Sequence, residues 1–264
     1  MKKLYIFIIL VLVFASCEKV IEVDLNEANP RIVVDGNIDF KDQETTGNAF
    51  VQLHWTSSFY ESNSFETIEN AQVKLMDTQG KIYDLSHSSN GYYLATGIHK
   101  GQIGEEYKLE VLVDGKTLKS KTTLARSVKI DSLSYTLDNF GPHQGGGYMV
   151  NCHFTDPAGE VNYYYLKLFI DNIPCQGFFI TRDDGLDGKA ITYTFFRNLI
   201  EGPNDVTVVL YTLDEASFEY FKVLAMMDQG GMSTAPGNPP SNIEGDAIGL
   251  FRAEYMDIQS IQIP

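Results

Sequence analysis

Positive charge, cysteine and long apolar runs are all scarce in this sequence, and each scarcity removes a class of function. Lys and Arg number 20 against 35 Asp and Glu, for a formal net charge of −15. A surface this acidic repels phosphate backbones and anionic headgroups, which excludes nucleic acid as a partner and electrostatic docking as a route to a membrane. The apolar run Leu4 to Phe14 is only eleven residues, too short to span a bilayer as a helix. The five histidines, His54, His87, His99, His143 and His153, show no metal-ligand spacing. Cys152 and His153 are adjacent, so strand alternation sends them to opposite faces. Neither a Gly-x-Ser-x-Gly elbow nor a phosphate-binding loop is present, and 35 scattered carboxylates will form chance pairs that carry no information about hydrolysis.

What the sequence does contain starts at its beginning. Lys2-Lys3, the apolar run and the small residues Ala15-Ser16-Cys17 form the three parts of an export signal over residues 1–16. Phe14-Ala15-Ser16-Cys17 is similar to a bacterial lipobox, with Phe14 where Leu, Val or Ile is usual, which implies diacylation of Cys17. A second or third acyl chain makes such attachment effectively permanent, so the membrane is reached through lipid rather than charge. Residues 17–29 then form an extended, lipidated linker, with Ile21, Val23 and Leu25 on one side and Glu22 and Asp24 on the other.

From residue 30 to 126 the pattern is strand after strand. Val51, Leu53 and Trp55 alternate, as do Tyr107, Leu109, Val111 and Val113, and Asn90-Gly91 and Asp114-Gly115 supply turns that need positive φ. The spacing predicts an antiparallel sandwich. The runs Ala71-x-Val73-x-Leu75, Gly91-x-Tyr93 and Gly104-x-x-Tyr107-x-Leu109-x-Val111 resemble an immunoglobulin-like module of the prealbumin type. Polar stretches at 40–48 and 57–70 are expected to be long loops.

Residues 127–264 are expected to form a second β-rich domain with one α-helix near 214–228. Thr212-x-x-Glu215 matches a capping box, and Phe218, Phe221 and Leu224 recur at helical spacing as its core face. The fold class is therefore all-β in the main. Of Tyr163, Tyr164 and Tyr165, alternation is expected to leave at least one ring exposed or at an interface. The chain is expected to end in two strands, around 248–255 and 258–263.

Across its length the sequence resembles an uncharacterised family of Bacteroidota outer-membrane lipoproteins. The resemblance rests on the lipobox followed by Glu18-Lys19-Val20-Ile21, then Asp156-Pro157, Tyr163-Tyr164-Tyr165 and Tyr220-Phe221. Its most specific part is Pro239-Pro240-Ser241-Asn242-Ile243-Glu244-Gly245 ahead of Gly249-Leu250-Phe251. It implies a surface-exposed lipoprotein encoded beside a TonB-dependent receptor, with no catalytic residues to carry over. The function expected is a non-enzymatic accessory or ligand-capture subunit of that receptor, without a cofactor. The alternatives are a surface hydrolase of glycans or peptides and a structural or adhesion lipoprotein.

Three candidate sites follow. Asp183, Asp184 and Asp187 place three carboxylates in five residues, the ligand type calcium takes, although Gly185 and Thr194 depart from a calcium-loop pattern and an acidic hairpin turn is the favoured reading. Pro239, Pro240, Ser241, Asn242 and Ile243 are partner-contact candidates, because Ile243 is expected to be exposed and in need of a cover. Cys152 and Cys175 are either a disulfide or two buried thiols.

Overall fold

The structure, a computed structural model, describes residues 29–57, 65–138, 146–196, 198–228 and 238–264. Cys17, His143 and residues 58–64 lie outside them, as do Pro236 and Gly237. The fold is all-β with a single helix among the described residues.

In the first half, β1 (Ile32–Phe40) turns Ile32, Val34, Ile38 and Phe40 inward and its odd-numbered residues outward. Beside it run β2 (Thr46–Trp55), then β3 (Gln72–Met76), β4 (Ile82–His87), β5 (Tyr92–His99), β6 (Glu106–Val113) and β7 (Lys116–Thr123), in the spatial order β1-β2-β5-β4-β3-β6-β7. The sheet folds over at β4, which pairs with β3 through residues 82–85 and with β5 only through Ser86 and His87. The two layers then face each other. The rings of Phe40 on β1 and Tyr107 on β6 lie 5.5 Å apart. The strict alternation of β6 is what fills that core, with Tyr107, Leu109, Val111 and Val113 all buried. Asp114 and Gly115 form the two-residue turn into β7, both at positive φ (50° and 74°).

The second half has three layers. β8 (Ile130–Asp138), β9 (Gly147–Thr155) and β13 (Ala190–Thr194) form a three-stranded sheet in the order β13-β9-β8. The middle layer centres on β10 (Tyr163–Ile170), with the short β11 (Ile173–Pro174) and β12 (Phe179–Arg182) on one edge and β14 (Asn204–Leu213) on the other. One face of this layer packs Tyr164, Leu166 and Leu168 against Val150, Cys152 and Phe154 of β9. The opposite face carries Tyr165, Val209 and Tyr211 against α1 (Glu215–Asp228). Alternation thus buries Tyr164 on one side and Tyr165 on the other, and Tyr163 is half-buried against Phe218. Core filling takes two of the three rings, so no exposed tyrosine platform forms here.

The helix starts two residues later than the Thr212 box would place it, at Glu215. Asp214, not Thr212, is its cap: Asp214 Oδ1 accepts the Ser217 N–H at 2.9 Å. Its fully buried face is Ser217, Phe218, Phe221 and Ala225, with Leu224 only half-buried at the margin.

The two halves are joined by the last strands of the chain. β15 (Ile243–Glu244) pairs with β7, Ile243 opposite Ser120. In place of two terminal strands there is one, β16 (Ala247–Ile263), 17 residues long. From Ala247 to Tyr255 it runs parallel to β1, and from Tyr255 to Ile263 it runs antiparallel to β14. Gly249 permits the close start of this pairing. Its φ is 127°, and a Cβ there would lie 2.0 Å from the Val34 carbonyl oxygen. β16 therefore contributes Phe251 and Ala253 to the first core and Ile263 to the second.

Candidate functional site

The acidic turn lies between β12 and β13, which belong to different layers, so it is a crossover rather than a hairpin turn. Asp183 and Asp187 come together there, but the third member is Asp156, with carboxylate oxygens of all three within 4.8 Å of one another. Asp184 turns away to pair with Arg182 at 2.5 Å. Burial pushes Asp183 above the usual carboxylate range, opposed by a backbone N–H from Asn162 and reinforced by Asp156 and Asp187. The other two carboxylates also accept protein donors. Asp156 accepts the Tyr164 hydroxyl and the Gly188 N–H (3.0 Å), and Asp187 accepts the Gly159 N–H (2.7 Å). Calcium takes six to eight oxygens. The carboxylates bond protein donors and so clasp the 156–160 turn to the 183–189 loop.

Residues 239–243 correct a second expectation. Ile243 is 9% exposed and packs in the first core, so it is not an apolar group awaiting a partner. Asn242 also works inward: Nδ2 donates to the Phe251 carbonyl at 2.6 Å and Oδ1 accepts the Phe251 N–H at 2.9 Å. Pro239 is half-buried, and Pro240 and Ser241 stay exposed. Cys152 and Cys175 are free thiols in the second core, not a disulfide. Burial raises both pKa values, Cys152 to about 12, which removes the thiolate that reactive cysteines need.

Two sites were not foreseen. The first is a buried charge cluster on β16 and β1. Arg252 Nε donates to Glu254 at 3.1 Å and Nη1 to Asp35 at 2.9 Å, while the Phe221 ring lies 5.3 Å from the guanidinium. Glu254 is 2% exposed. Burial lifts its pKa to about 7 against the pull of Arg252, and a hydrogen bond with Asp39 favours the protonated form. Burial opposes the charge on Arg252, but Glu254 and Asp35 outweigh it and raise its pKa. Arg252 thus faces three carboxylates, and burial with the nearby Asp39 holds Glu254 toward its protonated form. Sequence reading missed the cluster because its members come from opposite ends of the chain.

The second is a cavity of about 310 Å³ beside the C-terminal end of α1. Half of its lining residues are aromatic, Phe178 and Phe179 from the β12 approach and Tyr193, Phe195 and Phe196 from β13 and beyond. Phe195 is buried and fixes its neighbours edge-on, 5.0 Å from Phe179 and 5.2 Å from Tyr193. Phe196, by contrast, is 72% exposed at the rim. The polar lining comes from Gln176, Asn198 and Asp228. Aromatic walls with a few convergent polar groups are the usual make-up of a small-ligand site. Nothing in the spacing of residues 176–198 and 228 announces it, since it forms only when α1 docks over β10 and β12.

The fold and these sites define a β-rich protein in which two cores share one terminal strand, with a ligand-sized aromatic cavity in the second half. The chain belongs to the DUF4249 family, described as a domain of unknown function, which it matches over residues 18–254. No curated protein matches it.

Proposed function

We propose that the protein is an outer-membrane lipoprotein held by acyl chains on Cys17. In this reading it serves as a non-enzymatic accessory or ligand-capture subunit of a TonB-dependent receptor. The observation that carries the reading is the N-terminal sequence, in which a dibasic head, an eleven-residue apolar run and Ala15-Ser16 lead directly to Cys17. Such a tether confines protein and receptor to one surface, where even a weak interface sustains association.

The aromatic cavity supports the capture role, and with Ile243 and Asn242 turned inward the contact falls to other residues. Pro240 and Ser241 remain available. So does the outer face of β2 and β5, where Phe50 and Tyr92 are exposed and Phe65 lies 4.8 Å from His54. The test is affinity purification of the full chain from gently solubilised outer membranes with the neighbouring receptor expressed. Co-recovery of the receptor is expected. Recovery of the protein alone in every detergent would refute the partnership.

A further inference from the structure

We propose that the aromatic cavity beside the end of α1 binds a protonated amine, the primary ammonium or guanidinium group of a small ligand or peptide side chain. The proposal rests on the ligand-capture reading for its biological use, but its chemistry is separate and is tested without any receptor.

The charge of the site comes first. Asp228 is the last residue of α1, and the last turn of that helix holds no basic residue. The unsatisfied carbonyls of a helix C-terminus carry partial negative charge, so cations are favoured there and a carboxylate is not. Asp228 therefore deepens a negative potential instead of cancelling it. Among the described residues it forms no ion pair, and the protein as a whole is strongly acidic. The local field among the described residues, like the global one, draws a cation to this position.

Hydrogen-bonding capacity narrows the class. Asn198 lines the cavity and hydrogen-bonds Cys175, while its own Oδ1 is buried without a partner among the described residues. Asp228 presents an exposed carboxylate acceptor at the cavity, and a group that only donates, as ammonium and guanidinium do, matches it.

The aromatic rings complete the fit. The negative faces of Phe and Tyr attract a cation within about 6 Å of the ring centre. Gly177 leaves the needed room. A Cβ there would stand 3.4 Å from the Phe179 ring and 3.6 Å from Asp228 Oδ2, so the missing side chain keeps ring and carboxylate open to a shared occupant.

The test uses the full chain in detergent and calorimetric titration with n-butylammonium. The neutral alcohol 1-pentanol, one methylene longer, and a neutral disaccharide are run in parallel. Saturable butylammonium binding is expected, with 1-pentanol weaker by about tenfold or more. Asp228→Asn and Phe196→Ala change exposed side chains, and each should weaken butylammonium by about tenfold while leaving the thermal melt unchanged. If either variant fails to fold, the ranking of probes on the unaltered protein still decides the matter. No saturation up to about 10 mM, equal binding of 1-pentanol, or binding of the disaccharide alone would overturn the proposal. Butylammonium binding with no receptor recovered would leave this site standing and refute the partnership, and the reverse result would do the opposite.

Discussion

The hydroxyl of Thr122 donates to Asp214 Oδ2 at 2.8 Å, so a strand of the first half is bonded to the cap of the helix in the second. The same Thr122 oxygen accepts the N–H of Ala253 at 3.1 Å, which ties in β16 as well. Asp214 has two duties on one carboxylate, capping α1 through Oδ1 and holding Thr122 through Oδ2. Losing a helix cap costs about 1 kcal/mol, and a lost buried hydrogen bond costs about as much again. Asp214→Ala should therefore destabilise by about 2–3 kcal/mol and Thr122→Val by about 1 kcal/mol. A double-mutant cycle in denaturant should show coupling of about 0.5 kcal/mol or more, and strict additivity would break the link.

The helix gives a sharper contrast. Phe221 stacks on Tyr165 with ring centres 4.5 Å apart and lies over Arg252, so Phe221→Ala should cost about 3–5 kcal/mol. Lys222, next along the helix, pairs with Glu219 at 3.0 Å on a partly exposed face, and Lys222→Ala should cost well under about 1 kcal/mol. Equal losses in urea titrations would place the buried face elsewhere.

Stability should depend on pH through Glu254. Its carboxyl is held at about 7 in the folded chain against an ordinary value of 4.5, so the folded state binds the proton more tightly than the unfolded one. The resulting stabilisation is complete below about pH 4.5 and is lost as pH rises through about 7. The groups that face Glu254 are Arg252, Asp39 and Lys167, and Asp35 faces Arg252. Beside them stand Tyr165 and Tyr211 of the sheet and Tyr220 of α1. Asp42 and Asp246 have lowered pKa values, so they act oppositely and lose their contributions in more acidic solution. Between pH 5 and 8, melting temperature should fall with rising pH in the parent and stay nearly flat in Glu254→Gln. A parent melt that rises over that range would contradict the assignment.

Much of this was legible where the determining contacts are local. Asp114-Gly115 announces its hairpin because both residues tolerate positive φ, and alternation from Tyr107 to Val113 announces a strand buried on one face. The helix shows its period, although its cap was misassigned because Thr212 is still within β14. Non-local pairing left no such trace. Ile243 looks exposed beside Pro239-Pro240 until β7 supplies Ser120 opposite it. Asp156 joins Asp183 and Asp187 only through the packing of separate layers. The parallel alignment of Ala247–Tyr255 with β1 joins opposite ends of the chain, which no local signal encodes.

That alignment predicts a shared fate for the two halves. Ending the chain at Asp246 removes β16, and with it Phe251 and Ala253 from one core and Ile263 from the other. Hydrogen exchange should then show loss of protection in β1 and β14 together, whereas persistent protection of residues 30–126 would show a first half that stands alone.

The tether proposed on Cys17 underlies the whole functional account, and intact-mass spectrometry of the protein extracted from outer membranes tests it most directly. The account predicts a chain that begins at Cys17 and carries the added mass of acyl chains, with Cys17→Ser either absent from the membrane fraction or left unprocessed. A chain that begins elsewhere, or an unmodified Cys17 in a membrane-bound protein, would contradict it.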